Sequence, residues 1–136
     1  MNPAVRSSLA VLVGAAVAFS LVAVIESLGQ LVYPAPPGMD FSNPEQLRDY
    51  VRRVPLGALL IVLAAWVIAT FTGGLVAARI AKARPVLFAG IVGALVLAAT
   101  IANLLTLPHP AWFVVTGIAG ILLATYAAGK VAAARS

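Results

Sequence analysis

Apolar residues in this chain fall into four long runs, and nearly every charged residue lies between them. The first run covers residues 9–32, uncharged from Leu9 to Ile25 and interrupted by Glu26. The second covers 54–78, the third 85–107 and the fourth 111–129, all without formal charge. A hydrocarbon core about 30 Å thick takes roughly 20 helical residues to cross, so each run is long enough to span it. Pro34, Pro36, Pro37 and Gly38 close the first run, Pro55 opens the second, and Pro108 and Pro110 separate the last two. Proline cannot continue the helical hydrogen-bond ladder, which fixes these points as boundaries. Only Arg79 to Arg84 joins the second and third runs, which predicts an antiparallel hairpin.

The one long polar segment, 33–53, carries a helix of its own. Ser42-Asn43-Pro44-Glu45 has the form of a capping box, with Ser42 or Asn43 accepting from the first backbone amides and Glu45 reaching back. Leu47, Tyr50, Val51 and Val54 then recur at helical spacing, with Glu45, Arg48, Asp49, Arg52 and Arg53 on the opposite face. Such a helix lies in a membrane interface. The expected fold is therefore all-α: a four-transmembrane-helix bundle forming one domain, with a short amphipathic helix in the outer loop between spans 1 and 2.

Composition agrees with that pattern. Hydrophobic residues make up 62% of the chain and charged residues 10%, against roughly 25% charged in a soluble domain. A net charge of +5 does not point to nucleic acid, because the cations flank apolar runs instead of forming a patch interleaved with aromatics. Lys and Arg mark the cytoplasmic side of short loops. Arg6, Arg79, Lys82, Arg84, Lys130 and Arg135 fall on one side without an acid, while Arg48, Arg52 and Arg53 are balanced by Asp40, Glu45 and Asp49 on the other. Both termini are expected in the cytoplasm, with Tyr33, Trp112 and Phe113 in the outer aromatic belt. Arg6, the apolar run and Ala16-Val17-Ala18 also resemble a cleavable signal peptide. The run continues past that site to Ile25, so span 1 is expected to be retained.

Small residues are the packing signal between helices in lipid, where burial of apolar surface gives little net drive. Gly73 with Ala77, Gly74 with Ala78, and Gly120 with Ala124 and Ala128 have the four-residue spacing that aligns them on helix faces. The two halves also look related: Leu31 to Pro36 parallels Leu105 to Pro110, and Gly74 to Ala78 parallels Gly129 to Ala133. A parallel repeat of one helical hairpin would give that pattern.

Glu26 carries most of the chemical interest. It precedes Tyr33 by seven residues, about 10 Å below the outer boundary at 1.5 Å per residue. A charged side chain facing lipid there costs at least about 2.5 kcal/mol, so it is expected to face protein or water. Thr100, Asn103 and Thr106 repeat at three-residue spacing in span 3, and His109 lies just beyond. Glu26, Gln30, Asn103 and His109 are predicted to form one polar intramembrane cluster. Other chemistries lack parts. With no cysteine and one histidine there is no zinc site, no serine has a matching histidine and acid, and no glycine-rich loop has phosphate-binding spacing. No catalytic residue, metal or cofactor is expected.

Tyr33-Pro34-Ala35-Pro36-Pro37-Gly38-Met39-Asp40, Gly73-Gly74-Leu75-Val76-Ala77-Ala78-Arg79-Ile80-Ala81 and Leu107-Pro108-His109-Pro110-Ala111-Trp112-Phe113 resemble a family of small four-span bacterial inner-membrane proteins with no assigned function. The resemblance implies a bacterial inner membrane and assigns no catalytic residue. The leading functional expectation is a non-enzymatic, oligomeric or accessory membrane component whose partners are the lipid bilayer, its own copies or other membrane proteins. The alternative is a small proton- or cation-coupled transporter or channel working through Glu26. The orientation has a direct test: epitope tags at either chain end should be shielded from antibody in intact cells and exposed on permeabilisation, and labelling of either end in intact cells would reverse it.

Overall fold

A computed structural model describes residues 1–134 as five helices with no strand: α1 (Pro3–Val32), α2 (Pro44–Arg52), α3 (Leu56–Ala81), α4 (Pro85–Thr106) and α5 (Ala111–Ala134). All but α2 are long and apolar enough to cross a membrane, the property of a multi-pass membrane protein. Arg135 lies outside the described residues.

The helices outrun the apolar segments wherever nothing stops them. Helix α1 begins six residues before Leu9, because Asn2 caps it by accepting from the Ala4 amide at 2.8 Å and Pro3 supplies the fixed first turn. Its 30 residues reach about 45 Å at 1.5 Å per residue, well beyond the hydrocarbon thickness. Likewise α3 runs on to Ala81 and α5 to Ala134. Residues 82–84 make the turn between α3 and α4, with Lys82 and Arg84 both left-handed at φ 62° and 51°. Glycine would adopt that backbone with less strain, so the basic side chains sit there at a conformational cost.

Helix α3 is the hub. It packs against α1, α4 and α5, while α4 also packs on α5 and α1 touches α4 less extensively. The most apolar stretch of α3 is 44% buried, against 17% for α1. The α1–α3 seam is antiparallel. A Cβ built on Gly14 would lie 2.6 Å from the Ala77 Cβ and 2.8 Å from the Gly73 carbonyl, and one on Gly73 would lie 2.6 Å from the Gly14 carbonyl. Further along the same seam Gly29 meets Ile61, and Gly57 meets Tyr33. Ala10, Gly14 and Ala18 thus form the buried edge of α1.

The small residues of α3 divide between two sides. Gly73 and Ala77 face α1, whereas Gly74 faces Ala128 of α5 and Ala89 of α4. Gly120 meets Val67, and Ala124, Ala128 and Ala78 are all buried. The positions paired by sequence similarity are used differently. Gly129 of α5 packs on Val86 of its own hairpin partner, while Gly74 packs away from α1.

This antiparallel pairing gathers Arg6, Arg79, Lys82, Arg84 and Lys130 at one end. At the other end stand α2 and its loop. Asn43 caps α2, accepting from the Glu45 amide at 3.0 Å and the Gln46 amide at 3.4 Å. The reciprocal bond comes from Gln46, whose Oε1 accepts from the Asp40 amide at 2.9 Å, instead of from Glu45. Ser42 donates to the Asp40 carboxylate. Val51 is buried and Leu47, Tyr50 and Val54 partly so, while Glu45, Arg48, Asp49 and Arg52 are exposed.

One residue corrects the outer-belt expectation. Phe113 is fully buried against Trp66, at 5.1 Å between ring centres, whereas Trp112 is 41% exposed. Adjacent helical residues point about 100° apart, so only one of the pair can reach the rim.

Gly73→Val should cost about 3 kcal/mol, the upper end of overpacking penalties, because the nearest obstruction is backbone. Gly90→Ala, where nothing lies within 4 Å of the added methyl, should be neutral or stabilising by up to about 1 kcal/mol from helix propensity. Thermal unfolding in detergent followed by circular dichroism distinguishes the two, and equal melting temperatures would contradict the close α1–α3 contact.

Candidate functional site

Helices α1 and α4 touch near Gly14 and Val92, and further toward α2 a cleft of about 240 Å³ lies between them. Phe19, Val22 and Glu26 of α1 line one side, Val96, Ala99, Thr100 and Asn103 of α4 the other, with Trp66 of α3 beneath. Two of the four predicted cluster residues, Glu26 and Asn103, thus share a cavity although 77 positions separate them in the chain. Glu26 is half-buried, and among the described residues its carboxyl has no hydrogen-bond or ion-pair partner.

The floor is rigid. Trp66 is only 5% exposed, held on one side by Phe113 and on another by the space that Gly117 leaves open. Thr70, one turn on, returns its hydroxyl to the Trp66 carbonyl at 2.6 Å. Thr106 and Thr125 make the same kind of bond to Ala102 and Ile121. Thr100 does not, and its hydroxyl is without a partner among the described residues.

Gln30 and His109 are placed apart from the cleft. Gln30 is exposed and does not line it. His109 stacks on Phe113 at 4.9 Å with rings 10° from parallel, and Phe113 in turn meets Trp66. His109 is therefore linked to the cleft floor through an aromatic ladder and not through a polar contact. The ladder was not legible in sequence, since its middle member, Phe113, reads as an interfacial aromatic beside Trp112.

His109 Nδ1 lies 3.1 Å from the Leu107 carbonyl, which can only accept, so Nδ1 carries the proton. Burial holds this imidazole below its ordinary range, with the bond to Leu107 opposing that shift. Asp40, in the loop before α2, goes the other way: the Ser42 hydroxyl and amide hold its carboxyl below the usual carboxylate range.

A second cleft, of about 390 Å³, lies beneath the α2 segment, lined by Phe41, Ser42, Pro44, Leu47 and Arg48 on one side and Asn103, Thr106 and Leu107 on the other. Asn103 belongs to both clefts. Among the described residues no three histidine, aspartate or glutamate side chains come together as a metal site.

No protein-family model matches this chain, and neither a curated protein nor a solved structure shows significant similarity to it.

The depressed imidazole makes a signed prediction. Unfolded histidine takes up a proton below about pH 6.5, while folded His109 resists until lower pH, so its contribution to stability is lost as pH falls through that window. The melting temperature of the native protein should fall between pH 7.5 and pH 5.5 by more than that of His109→Asn, which keeps a donor for the Leu107 carbonyl. Equal falls would contradict a neutral imidazole stacked on Phe113.

Proposed function

We propose that this chain is a non-enzymatic, cofactor-free bundle of four transmembrane helices in a bacterial inner membrane, and that it binds and passes a proton or cation at Glu26. In this reading both termini are cytoplasmic, the five gathered cations face the cytoplasm, and α2 lies along the outer surface. The observation that carries the reading is the meeting of Glu26 with Asn103 in one cleft, with no group among the described residues answering the carboxylate. An acid in a transmembrane segment is expensive to keep and is retained where it holds an ion or a proton. Asn103 is shared with the cleft beneath α2, whose lining includes the cation Arg48.

A second reading, an oligomeric or accessory component, has its own support in α1. The stripes of small residues at Gly73, Gly74, Ala77, Ala78, Ala124 and Ala128 are buried within the chain itself, so contact with another copy or another membrane protein falls to the outward face of α1. Only 17% of the apolar stretch of that helix is covered.

Flux separates the two. Purified protein in liposomes should dissipate an imposed proton gradient, and Glu26→Gln should reduce the rate at least tenfold with the helical content unchanged. Rates equal to those of protein-free liposomes would remove the transport reading and leave the accessory one.

A further inference from the structure

We propose that the Glu26 cleft takes the head of a lipophilic monovalent ammonium ion, entering sideways from the bilayer between α1 and α4. This rests on the assignment of Glu26 as a cation site and narrows that site to a chemical class. A bare inorganic cation is bound by replacing its water shell with several oxygens, six to eight for calcium. Here the cleft offers one carboxylate, the amide of Asn103 and the free hydroxyl of Thr100, set among aromatic and aliphatic carbon. That set is too poor in oxygen to strip a hard ion. It suits an organic ammonium, which carries weak hydration and places its carbon-bound hydrogens on ring faces while its charge meets the acid.

Two aromatic rings line the cleft. Phe19 stands at the rim, 42% exposed, and Trp66 forms the floor, 5% exposed. On the α4 side the rim residue Ala99 is exposed, while Val96 and Thr100 behind it are buried. Phe19 and Ala99 are thus the exposed lining residues on the apolar flanks of α1 and α4, the side from which a lipid-borne ion would enter. The other approach, past α2, is lined by Arg48, whose charge repels a cation. At about 240 Å³ the cleft falls below the roughly 300–1,000 Å³ of sites that enclose a drug-sized ligand. It therefore admits a head group and leaves the alkyl tail in the bilayer.

The probe is decyltrimethylammonium added to the protein in lipid nanodiscs. The chain has two tryptophans, so Trp112→Phe makes Trp66 the sole indole reporter. A saturable change in Trp66 emission is expected with decyltrimethylammonium, and none with decanol or with tetraphenylphosphonium, which is cationic but too bulky. Glu26→Gln should weaken binding at least tenfold and Phe19→Leu about threefold; the latter residue is exposed, so that variant serves if Glu26→Gln does not fold. An equal response to decanol, or ammonium affinity unchanged by either substitution, overturns the proposal. Glu26-dependent proton flux without ammonium binding removes the ammonium class and leaves the cation site standing, whereas loss of both removes both.

Discussion

The backbones of α1 and α3 approach so closely at Gly14 and Gly73 that a methyl group at either position would overlap a main-chain oxygen of the partner, and Val92 of α4 reaches the same crossing. In a bilayer the lipid tails satisfy an apolar side chain as well as another helix does. Association therefore depends on how many atoms reach van der Waals distance, and small residues let whole backbones contribute. Helix α3 makes such contacts on two sides, with Gly73 and Ala77 toward α1 and Gly74 toward α4 and α5. A helix with two glycines side by side becomes the hub because it is the one that two sets of neighbours can approach.

That arrangement also leaves a space. Helix α1 is committed along its length to α3, through Gly14, Gly29 and Tyr33 in turn, and meets α4 less extensively, with Val92 reaching Gly14. Beyond that point a cleft remains between α1 and α4, floored by the largest side chain of α3, Trp66. Glu26 sits at the margin of the α3-facing stripe of α1, too far around the helix to be covered by α3 and too far along it to be covered by α4. The acid is thus half-buried without a partner among the described residues.

Much of the fold is legible in the chain because its signals are local. Four apolar runs, the proline boundaries and the Asn43 cap need no knowledge of neighbours to read. The site is legible only in part, and the reason is rotational. A three- or four-residue spacing says which side chains share a face, but not which way the face turns. Glu26 and Asn103 do reach one cleft, yet Gln30, one helical turn beyond Glu26, is already exposed, and His109 is drawn away by its stack on Phe113. The stripe of Ala10, Gly14 and Ala18 has the same spacing as those in α3 and α5, but span 1 holds so many small residues that this one does not stand out. The capping of α2 shows the same limit at shorter range. Glu45 and Gln46 are both able to reach back, and the path of the loop through Asp40 selects Gln46.

The contact between Gly14, Gly73 and Val92 has a mechanical corollary. It lies 12 residues before Glu26, about 18 Å along a helix that rises 1.5 Å per residue. Beyond it, Gly29 meets Ile61 and Tyr33 meets Gly57, so Glu26 stands on a span of α1 that is braced against α3 at both ends. A side chain on a braced span moves by its own torsions, and the distance over which the carboxylate can reach is then set by two methylene groups and not by the helix that carries it.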